Sequence, residues 1–517
     1  MRVALISFFV LWCVACGSSS DGPRGQSVCD NVVPAPAACM TACDPSPGAA
    51  STCPGGYHCG AGGKCDALCT PSGEQCGADY RCTPDGHCVG EDACVGLECN
   101  IVNCSKEGKP TTTITGTVFA PNGTLPLYGV NVYVANAPLG PPQDGAVCDR
   151  CTDTLPGYPL SLTKTDEAGK FTLADVPSGK DIPVVIQTGK WRKTIVIPQV
   201  NECAENTLTA AETRLPKNKT EGYMPKIAIS TGSADALECL VRKLGIDDAE
   251  LGTGGGAQQF HLYADSGAGG GQGANKFAGG FPGGNGNFAN STTLWNDANN
   301  LKKYDIVILS CEGGQHPETK SQAALDAMKA YADFGGRVFL SHWHNIWVEG
   351  STQGGGNQAP AVWSGANGVA TWNNSGTTFD TPPDVVDEIN NPKGMSFATW
   401  MQNVGGSPQR GQIPIEAGTG KQTCTNVDRT RVERWVYWPQ NNMQYPQMFQ
   451  FTTPAEAAPG DRCGKVVFSD MHVSGDSKST TTTAFPGQCS ANPLTPQEKA
   501  LAFMFFDIAS CVQPPIL

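Results

Sequence analysis

The sequence predicts a multidomain protein with three parts: a disulfide-rich N-terminal module, a β-sandwich, and an α/β domain built on a doubly wound parallel sheet. Between Cys29 and Cys104 a cysteine recurs every few residues, with little apolar periodicity. Short β-branched runs follow from Thr111 to about Arg214, and after Lys226 buried strand runs alternate with helical segments. The length of 517 residues suits about three domains of ordinary size.

The first 28 residues have the layout of a lipoprotein export signal followed by a tether. An apolar run from Val3 to Ala15 comes after the basic residue Arg2 and ends in small residues directly before Cys16. This predicts a signal peptide over residues 1–15, a lipidated Cys16 and a flexible tether over residues 16–28. An ordinary cleaved signal followed by an unmodified cysteine is the alternative.

Residues 29–108 are predicted to form a cysteine-rich repeat module. Of the 24 cysteines, setting aside Cys13 in the signal and Cys16 leaves an even number, 22, for pairing in an oxidising compartment. Two triplets share a spacing of five intervening residues: Cys53, Cys59 and Cys65, then Cys76, Cys82 and Cys88. The pattern resembles small EGF-like modules, and it predicts a core of disulfides rather than of packed side chains.

Residues 109–215 are predicted to form the β-sandwich. The runs 113–119 and 130–134 alternate in polarity, and Pro121-Asn122-Gly123 forms a turn between them. The order GTVFAPNG, GVNVYV and TKTDEAGKFTLADVPSG closely resembles the carboxypeptidase regulatory-like domain, a transthyretin-like sandwich. That resemblance implies a structural or binding module and confers no peptidase activity.

The pair Cys148-x2-Cys151 lies in this part of the chain. A redox pair is one interpretation, but there is no thioredoxin-like βαβ context around it. We therefore expect structural disulfides, with Cys203 and Cys104 as candidate partners.

After a linker at 216–224, residues 225–517 are predicted to form the α/β domain. Buried strands are predicted at 226–230, 304–310, 337–340 and 464–469, and helices at 236–244, 323–334 and from Thr495, the N-cap before Pro496. Alternating strands and helices indicate a parallel sheet. The glycine-rich stretch 252–290 is predicted to be mostly mobile loop, apart from Phe260–Tyr263.

Unusual side chains follow three of the predicted strands, where open parallel sheets bind ligands. They are Cys311-Glu312-Gly313-Gly314-Gln315-His316, Ser341-His342-Trp343-His344 and Asp470-Met471-His472. The order YDIVILSCEGG, ALDAMKAYADFGGRVFLSHWH and GKVVFSDMH resembles class I glutamine-amidotransferase-like domains, in particular their trehalose-utilisation (ThuA-like) branch. Those families place a functional residue after the GGRVF strand and a histidine after a late strand.

Two departures argue against glutaminase activity. The turn after GGRVF holds Ser341-His342 instead of a nucleophilic cysteine, and His472 is followed by Val473-Ser474 instead of x-glutamate. Cys311 follows a different strand, and in an exported protein we expect it to form a disulfide with Cys239; a reactive thiol is the alternative.

The histidines suggest a metal site at the same edge. His342 and His344 would project to one side if the strand continued through them, and Asp470 with His472 would complete an N3O set suited to zinc, copper or iron. We therefore predict that these four side chains come together and treat a zinc-class ion as a candidate cofactor. The alternative is that the histidines hydrogen-bond to loop backbone.

Tryptophans next to these histidines are candidates for ligand stacking. Trp343 and Trp347 could stack on sugar faces, which fits the ThuA-like resemblance; the alternative is that they are core anchors. The formal net charge of −13 and the pI near 5.0 argue against nucleic acid as a partner. The predicted partners are the membrane, through the lipid anchor, and a glycan or surface protein.

Over most of its length the chain resembles multidomain, cysteine-rich surface lipoproteins of bacteria. We therefore expect a lipid-anchored binding or adhesion protein at the outer membrane or cell surface, with a degenerate amidotransferase-like ligand-recognition domain. The alternative is an exported metal-dependent hydrolase or sugar-modifying enzyme that uses His342, His344 and His472.

Overall fold

The computed structural model describes residues 27–31, 35–46, 53, 56–69, 76, 80–83, 86–151, 155–266, 273–351, 368–472 and 484–512. The predicted signal peptide and Cys16 lie outside the described residues. The chain divides into two compact units, residues 1–95 with 137–140 and residues 96–136 with 141–517. Within the described part of the chain, no helix has the length and apolar character needed to cross a membrane.

The first unit is disulfide-rich, as predicted. It contains the short helix α1 (Val28–Asn31) and two hairpins, formed by β1 (His58–Cys59) with β2 (Cys65–Asp66) and by β3 (Tyr80–Cys82) with β4 (Cys88–Gly90). Five of its disulfides are Cys29–Cys39, Cys43–Cys59, Cys53–Cys65, Cys69–Cys82 and Cys76–Cys88. Each repeat therefore contains a fourth cysteine, Cys43 or Cys69, and its cysteines pair first to third and second to fourth.

The second unit begins with two β-sheets whose buried residues belong to one core. Their strands are β5 (Thr113–Thr117), β6 (Asn131–Ala135), β7 (Pro159–Lys164), β8 (Lys170–Ala174), β9 (Gly179–Thr188), β10 (Trp191–Val200) and β11 (Glu205–Thr207), followed by helix α2 (Ala210–Thr213). The sheet orders are β10-β9-β6-β7 and β11-β5-β8. Strand β8 alternates exposed and buried residues, and its buried Phe171 and Leu173 face the core between the sheets.

The rest of the second unit is an α/β region. Its strands are β12 (Ile227–Ser230), β13 (Leu251–Thr253), β14 (Phe260–Ala264), β15 (Ala289–Asn290), β16 (Ile306–Leu309), β17 (Arg337–Ser341), β18 (Ala370–Phe379), β19 (Asp384–Val386), β20 (Gln412–Ile413), β21 (Gly420–Val427), β22 (Val432–Gln440), β23 (Met443–Thr453) and β24 (Gly464–Ser469). Its helices are α3 (Leu237–Lys243), α4 (Thr292–Trp295), α5 (Ala298–Leu301), α6 (Gln322–Phe334), α7 (Ile346–Glu349), α8 (Gly394–Asn403) and α9 (Pro496–Ala509). As predicted, Thr495 caps α9, here through a capping box with Glu498.

The main sheet is mixed, so the predicted parallel sheet forms only part of it. Strands β13-β14-β12-β16-β17-β24 run parallel, and the order then continues through β23, β22, β19 and β20 in antiparallel pairing. The antiparallel part comes from the long insertion between β17 and β24. Its β22–β23 hairpin turns at Asn441 and Asn442, both at positive φ, which a two-residue type I′ turn requires.

Both faces of the parallel segment are buried. Ile227, Ile306 and Phe339 point into one core with α3 and α9, whereas their neighbours Ala228, Val307 and Val338 point into a second core with α6. Successive strand residues alternate between faces, so apolar runs such as Ile306–Leu309 have to be buried on both sides.

The stretch 252–290 departs from the prediction of a mostly mobile loop. In its described part, Phe277, Phe281 and Phe288 are buried, and the first two pack on Phe485. These aromatic side chains bring a glycine-rich segment into the core that also covers β14.

The sandwich strands and the α/β region share that core and two disulfides. Trp191 of β10 packs against Phe260, Phe505 and Phe506. Cys148 pairs with Cys463 and Cys151 with Cys511, so both are structural disulfide cysteines, as predicted. The proposed partners were wrong, because Cys104 and Cys203 pair with each other.

Candidate functional site

The strand order places the candidate site at the centre of the main sheet. From β12 the chain moves to β13 and β14 on one side and then crosses to β16 on the other. Open sheets bind ligands at such a reversal, beyond the carboxyl ends of the strands. The segments that follow β12 and β16 are in close contact there: a Cβ on Gly232 would clash with the Cys311 carbonyl oxygen.

A sharp turn follows β17. The strand ends at Ser341, and His342 has a φ of +40°, a left-handed conformation that costs energy for a side chain of this size. A short 3-10 helix begins at this residue and spans His342–Asn345. Acyl-transfer enzymes use a strained strand-to-helix turn of this kind to present a nucleophile. Here the turn presents an imidazole.

Three buried side chains converge beside this turn: Cys311, His342 and His472. The Cys311 Sγ lies 3.6 Å from His342 Nδ1, and His472 Nε2 lies 3.1 Å from the same nitrogen. One ligand atom from each side chain lies within 4.8 Å of the other two. Of the four residues predicted to come together, His342 and His472 therefore do, and Cys311 is the unpredicted third member.

The cluster is buried, which favours the neutral forms of Cys311 and His342. Burial and, to a smaller extent, the charge of Asp235 raise the pKa of the Cys311 thiol to about 12, against hydrogen bonds from the Trp343 and Gly313 backbone N–H groups. Burial, together with His472, lowers the pKa of His342 well below its ordinary value. At neutral pH the ligand-free cluster therefore contains a thiol and an uncharged His342.

His344 is held away from the cluster by two hydrogen bonds. Its Nε2 donates to the Ser310 carbonyl at 2.9 Å, and its Nδ1 accepts from Trp347 Nε1 at 3.0 Å. Because both ring nitrogens are used, the prediction that His344 joins His342 in a metal site is wrong. The strand does not continue through His342, so the two imidazoles do not project to one side.

Asp470 is also engaged elsewhere. Its carboxylate accepts hydrogen bonds from the Thr423 N–H at 2.9 Å, the Thr423 hydroxyl at 2.6 Å and the Cys424 N–H at 3.3 Å. These bonds attach β21 to the end of β24. The predicted N3O ligand set is therefore not assembled, because Asp470 faces the insertion.

The two candidate stacking residues differ in exposure. Trp347 is fully buried and packs on Trp295 in the second core, so its predicted role in ligand stacking is wrong. Trp343 is partly exposed, and its ring centroid lies 4.6 Å from that of His342. It remains the candidate contact residue at this edge.

The predicted Cys239–Cys311 disulfide is wrong. Cys239 of α3 pairs with Cys489, and Cys311 is unpaired, as is Cys424, among the described cysteines. The helix α3 packs beneath the sheet, where the segment before α9 reaches it, while Cys311 lies at the carboxyl edge. The position of Cys311 directly after a buried strand is the sequence signal that indicates its place in the site, but the many disulfides of the chain favoured a disulfide instead.

Two further buried polar pairs border the cluster. The Ser341 hydroxyl donates to Asp235, and the Lys320 ammonium donates to Glu312, both inside the protein. Neither Asp235 nor Lys320 was a sequence candidate. Charged side chains at this depth are tolerated because each has a partner.

Comparison with known proteins does not assign the chain to a family. No family model matches it, and neither does any curated protein. Among solved structures, a C-terminal interface mutant of a type II cohesin–X-dockerin complex from Acetivibrio cellulolyticus is 19% identical over 20% of this chain and 56% of that chain, with a TM-score of 0.12. The N-terminal interface mutant is 17% identical over 26% of this chain and 85% of that one, with a TM-score of 0.16.

The chain thus spans little more than half of the first of these structures. TM-scores this low carry no argument about fold or function. The extensive disulfides, in contrast, indicate a protein exported to an oxidising compartment.

Proposed function

We propose that the chain is a lipid-anchored surface protein that binds a ligand at the carboxyl edge of its α/β sheet and does not catalyse acyl transfer there. The observation that carries this proposal is His342 at the strained turn after β17, where an amidotransferase-like enzyme needs its nucleophile. The neighbouring Ser341 is 1% exposed and donates its hydroxyl to Asp235. The fold resemblance to ThuA-like and carboxypeptidase regulatory-like domains belongs to the same proposal.

The other thiol near the turn does not replace the missing nucleophile. Cys311 is fully buried, and burial raises its pKa to about 12, so the thiolate that would attack an acyl group is not populated. A glutaminase assay tests this point directly. We expect no ammonia release from glutamine above background, and turnover that disappears in Cys311→Ser would contradict the proposal.

A ligand would contact the partly exposed Trp343, and the proposed ligand class is a glycan. Affinity electrophoresis of the full chain in gels containing neutral polysaccharides measures this interaction. We expect retardation that Trp343→Ala reduces. Phe334→Ala is the matched control. Phe334 is an aromatic side chain that is 51% exposed, and it lies at the end of α6, near the amino edge of the sheet and away from Trp343. Equal loss in both variants would contradict a site at Trp343.

The lipid anchor is tested by Cys16→Ser in cells. We expect the variant to leave the membrane fraction, because the modified cysteine is the attachment point. A Cys13→Ser variant should stay with the membrane. If Cys16→Ser stays there too, the anchor is wrong.

The contacts among Cys311, His342 and His472 favour a second candidate function, an exported metal-dependent hydrolase. Catalytic zinc sites use three protein ligands and leave a fourth position for water or substrate. Hydrolysis of model esters or glycosides that is abolished by a chelator and restored by Zn²⁺ would favour this function over the binding protein.

A further inference from the structure

The environment of His342 differs from that of the neighbouring buried His344. A buried imidazole usually hydrogen-bonds through both nitrogens, as His344 does two residues later. At His342 two groups, the Cys311 sulfur and His472 Nε2, crowd Nδ1, and Nε2 is buried without a hydrogen-bond partner among the described residues. Hydrogen bonding alone does not explain this arrangement.

A bound metal ion explains why both groups approach Nδ1. A tetrahedral zinc ion has Zn–N distances of about 2.0–2.1 Å and a Zn–S distance of about 2.3 Å, so it holds two nitrogens about 3.3 Å apart and a nitrogen and a sulfur about 3.6 Å apart. The corresponding distances here are 3.1 Å between the imidazole nitrogens and 3.6 Å between Cys311 Sγ and His342 Nδ1. These two separations match a tetrahedral coordination shell, and the third pair, Cys311 Sγ and His472 Nε2, lies within 4.8 Å.

We propose that Cys311 Sγ, His342 Nδ1 and His472 Nε2 bind one closed-shell metal ion, Zn²⁺ or Cu⁺. Thiolate and imidazole are the ligands that both ions prefer. Binding replaces the thiol proton, so one proton is released as the sulfur–metal bond forms.

The surroundings of the sulfur fit a metal-bound thiolate. The Gly313 N–H points at Cys311 Sγ at 3.4 Å, and the Trp343 backbone N–H is a second donor. Such hydrogen bonds orient a ligand and tune its charge. The negative charge of Asp235, which acts on Cys311, opposes an isolated thiolate but offsets the positive charge of a metal–thiolate unit.

Metal binding to the full chain, stripped with a chelator and kept from oxidation, tests the proposal. We expect one equivalent of Zn²⁺ or of Cu⁺ per chain, each measured in a separate titration. X-ray absorption of the zinc-loaded wild-type protein should show one sulfur at about 2.3 Å and nitrogens at about 2.0–2.1 Å. A shell without sulfur, or no binding of either ion, would overturn the proposal without any variant having to fold.

Variants locate the ligands. Cys311→Ser, His342→Asn and His472→Asn should each weaken binding about ten-fold or more, by analogy with the loss from disturbed metal sites. Cys424→Ser is the matched control for the sulfur, since Cys424 is the other unpaired buried cysteine of the described chain. His316→Asn is the control for an imidazole outside the cluster. If Cys424→Ser loses the metal and Cys311→Ser keeps it, the proposal is wrong.

The outcome of the metal titration does not depend on whether the proposed glycan binding is correct. Polysaccharide retardation that persists in the metal-free protein would leave the glycan proposal standing whatever the metal titration shows. Stoichiometric metal binding with no glycan affinity would support the metal site alone.

Discussion

In the N-terminal unit, five disulfides with sequence separations of 10–16 residues hold short hairpins together, whereas the α/β sheet is packed on both faces by large apolar side chains. The buried apolar residues described in the first unit are cysteines with Val28 and Ala67. The second unit fully buries Trp191, Trp295, Trp347, Trp400 and Trp435. The comparison shows that disulfides replace a hydrophobic core where a segment has too few apolar residues to form one.

The largest effect on stability is expected at the ion pairs of Asp507 in the second unit. Asp507 of α9 pairs with Lys393 at 2.6 Å and with Lys465 at 3.4 Å. Burial would raise the pKa of Asp507, but the two ammonium groups lower it to about 2. Asp507→Asn leaves both lysines uncompensated, so we expect a loss of about 3–5 kcal/mol in the free energy of unfolding. Urea unfolding followed by tryptophan fluorescence measures it.

Glu388→Gln is the control for this prediction, because it removes the partly exposed pair with Arg410. That change should cost less than about 1 kcal/mol. Equal losses from the two variants would show that burial does not set the importance of ion pairs in this unit.

The converse test removes one disulfide from the first unit. The double variant Cys53→Ala with Cys65→Ala should destabilise that unit by about 2–5 kcal/mol, since little else opposes its unfolding. Hydrogen exchange should show lost protection in residues 56–69 and unchanged protection in β16 and β17. If the α/β strands also lose protection, the two units do not unfold independently.

A smaller effect on the free energy of unfolding is expected at Asp384, whose buried carboxyl group contrasts with that of Asp507 in the same unit. Both of its carboxylate oxygens are buried without a hydrogen-bond partner in the described structure. Burial raises its pKa well above the ordinary value, and Asp470 raises it further. Unlike Asp507, this carboxyl group therefore favours the folded state in its protonated form.

The sign of the pH dependence follows from that shift. The stability due to protonated Asp384 is fully present below the ordinary carboxyl pKa, and it is lost as the pH rises through the folded-state pKa. Asp384→Asn should match the wild type near pH 4 and be more stable by about 1–3 kcal/mol at pH 8, because a carboxyl group that is ionised in the unfolded chain no longer has to take up a proton on folding. Thermal unfolding across this range measures the difference, and a difference that does not change with pH would contradict it.

Much of the local structure could be predicted from the sequence because its causes are local. The run Ile306–Leu309 is buried on both faces, and Thr495 with Pro496 starts α9. In both cases adjacent residues carry the signal. The predicted helix at 323–334 corresponds to α6, and Gly335 ends it at a φ of +127°, as a helix-terminating glycine does.

The sequence predicted the location of the candidate site but not which side chains form it. The motif Asp470-Met471-His472 and the turn Ser341-His342 marked the correct edge of the sheet, but which side chains meet there depends on the direction of each after its strand. The positive φ at His342 turns His344 toward Ser310, and the insertion supplies the N–H groups that hold Asp470. Neither contact can be predicted from the spacing of the residues in the sequence.

By itself, the sequence determined the disulfide-rich character of the N-terminal unit, the main buried strand runs, the bounds of α3 and α6 and the start of α9, because short-range spacing and apolar patterning indicate them. Only the tertiary structure decided the pairing of Cys239 with Cys489, the antiparallel extension of the sheet and the meeting of Cys311 with His342 and His472. Those contacts join residues 31 to 250 positions apart. The packing of the whole unit determines which of these residues meet, and no local sequence pattern predicts it.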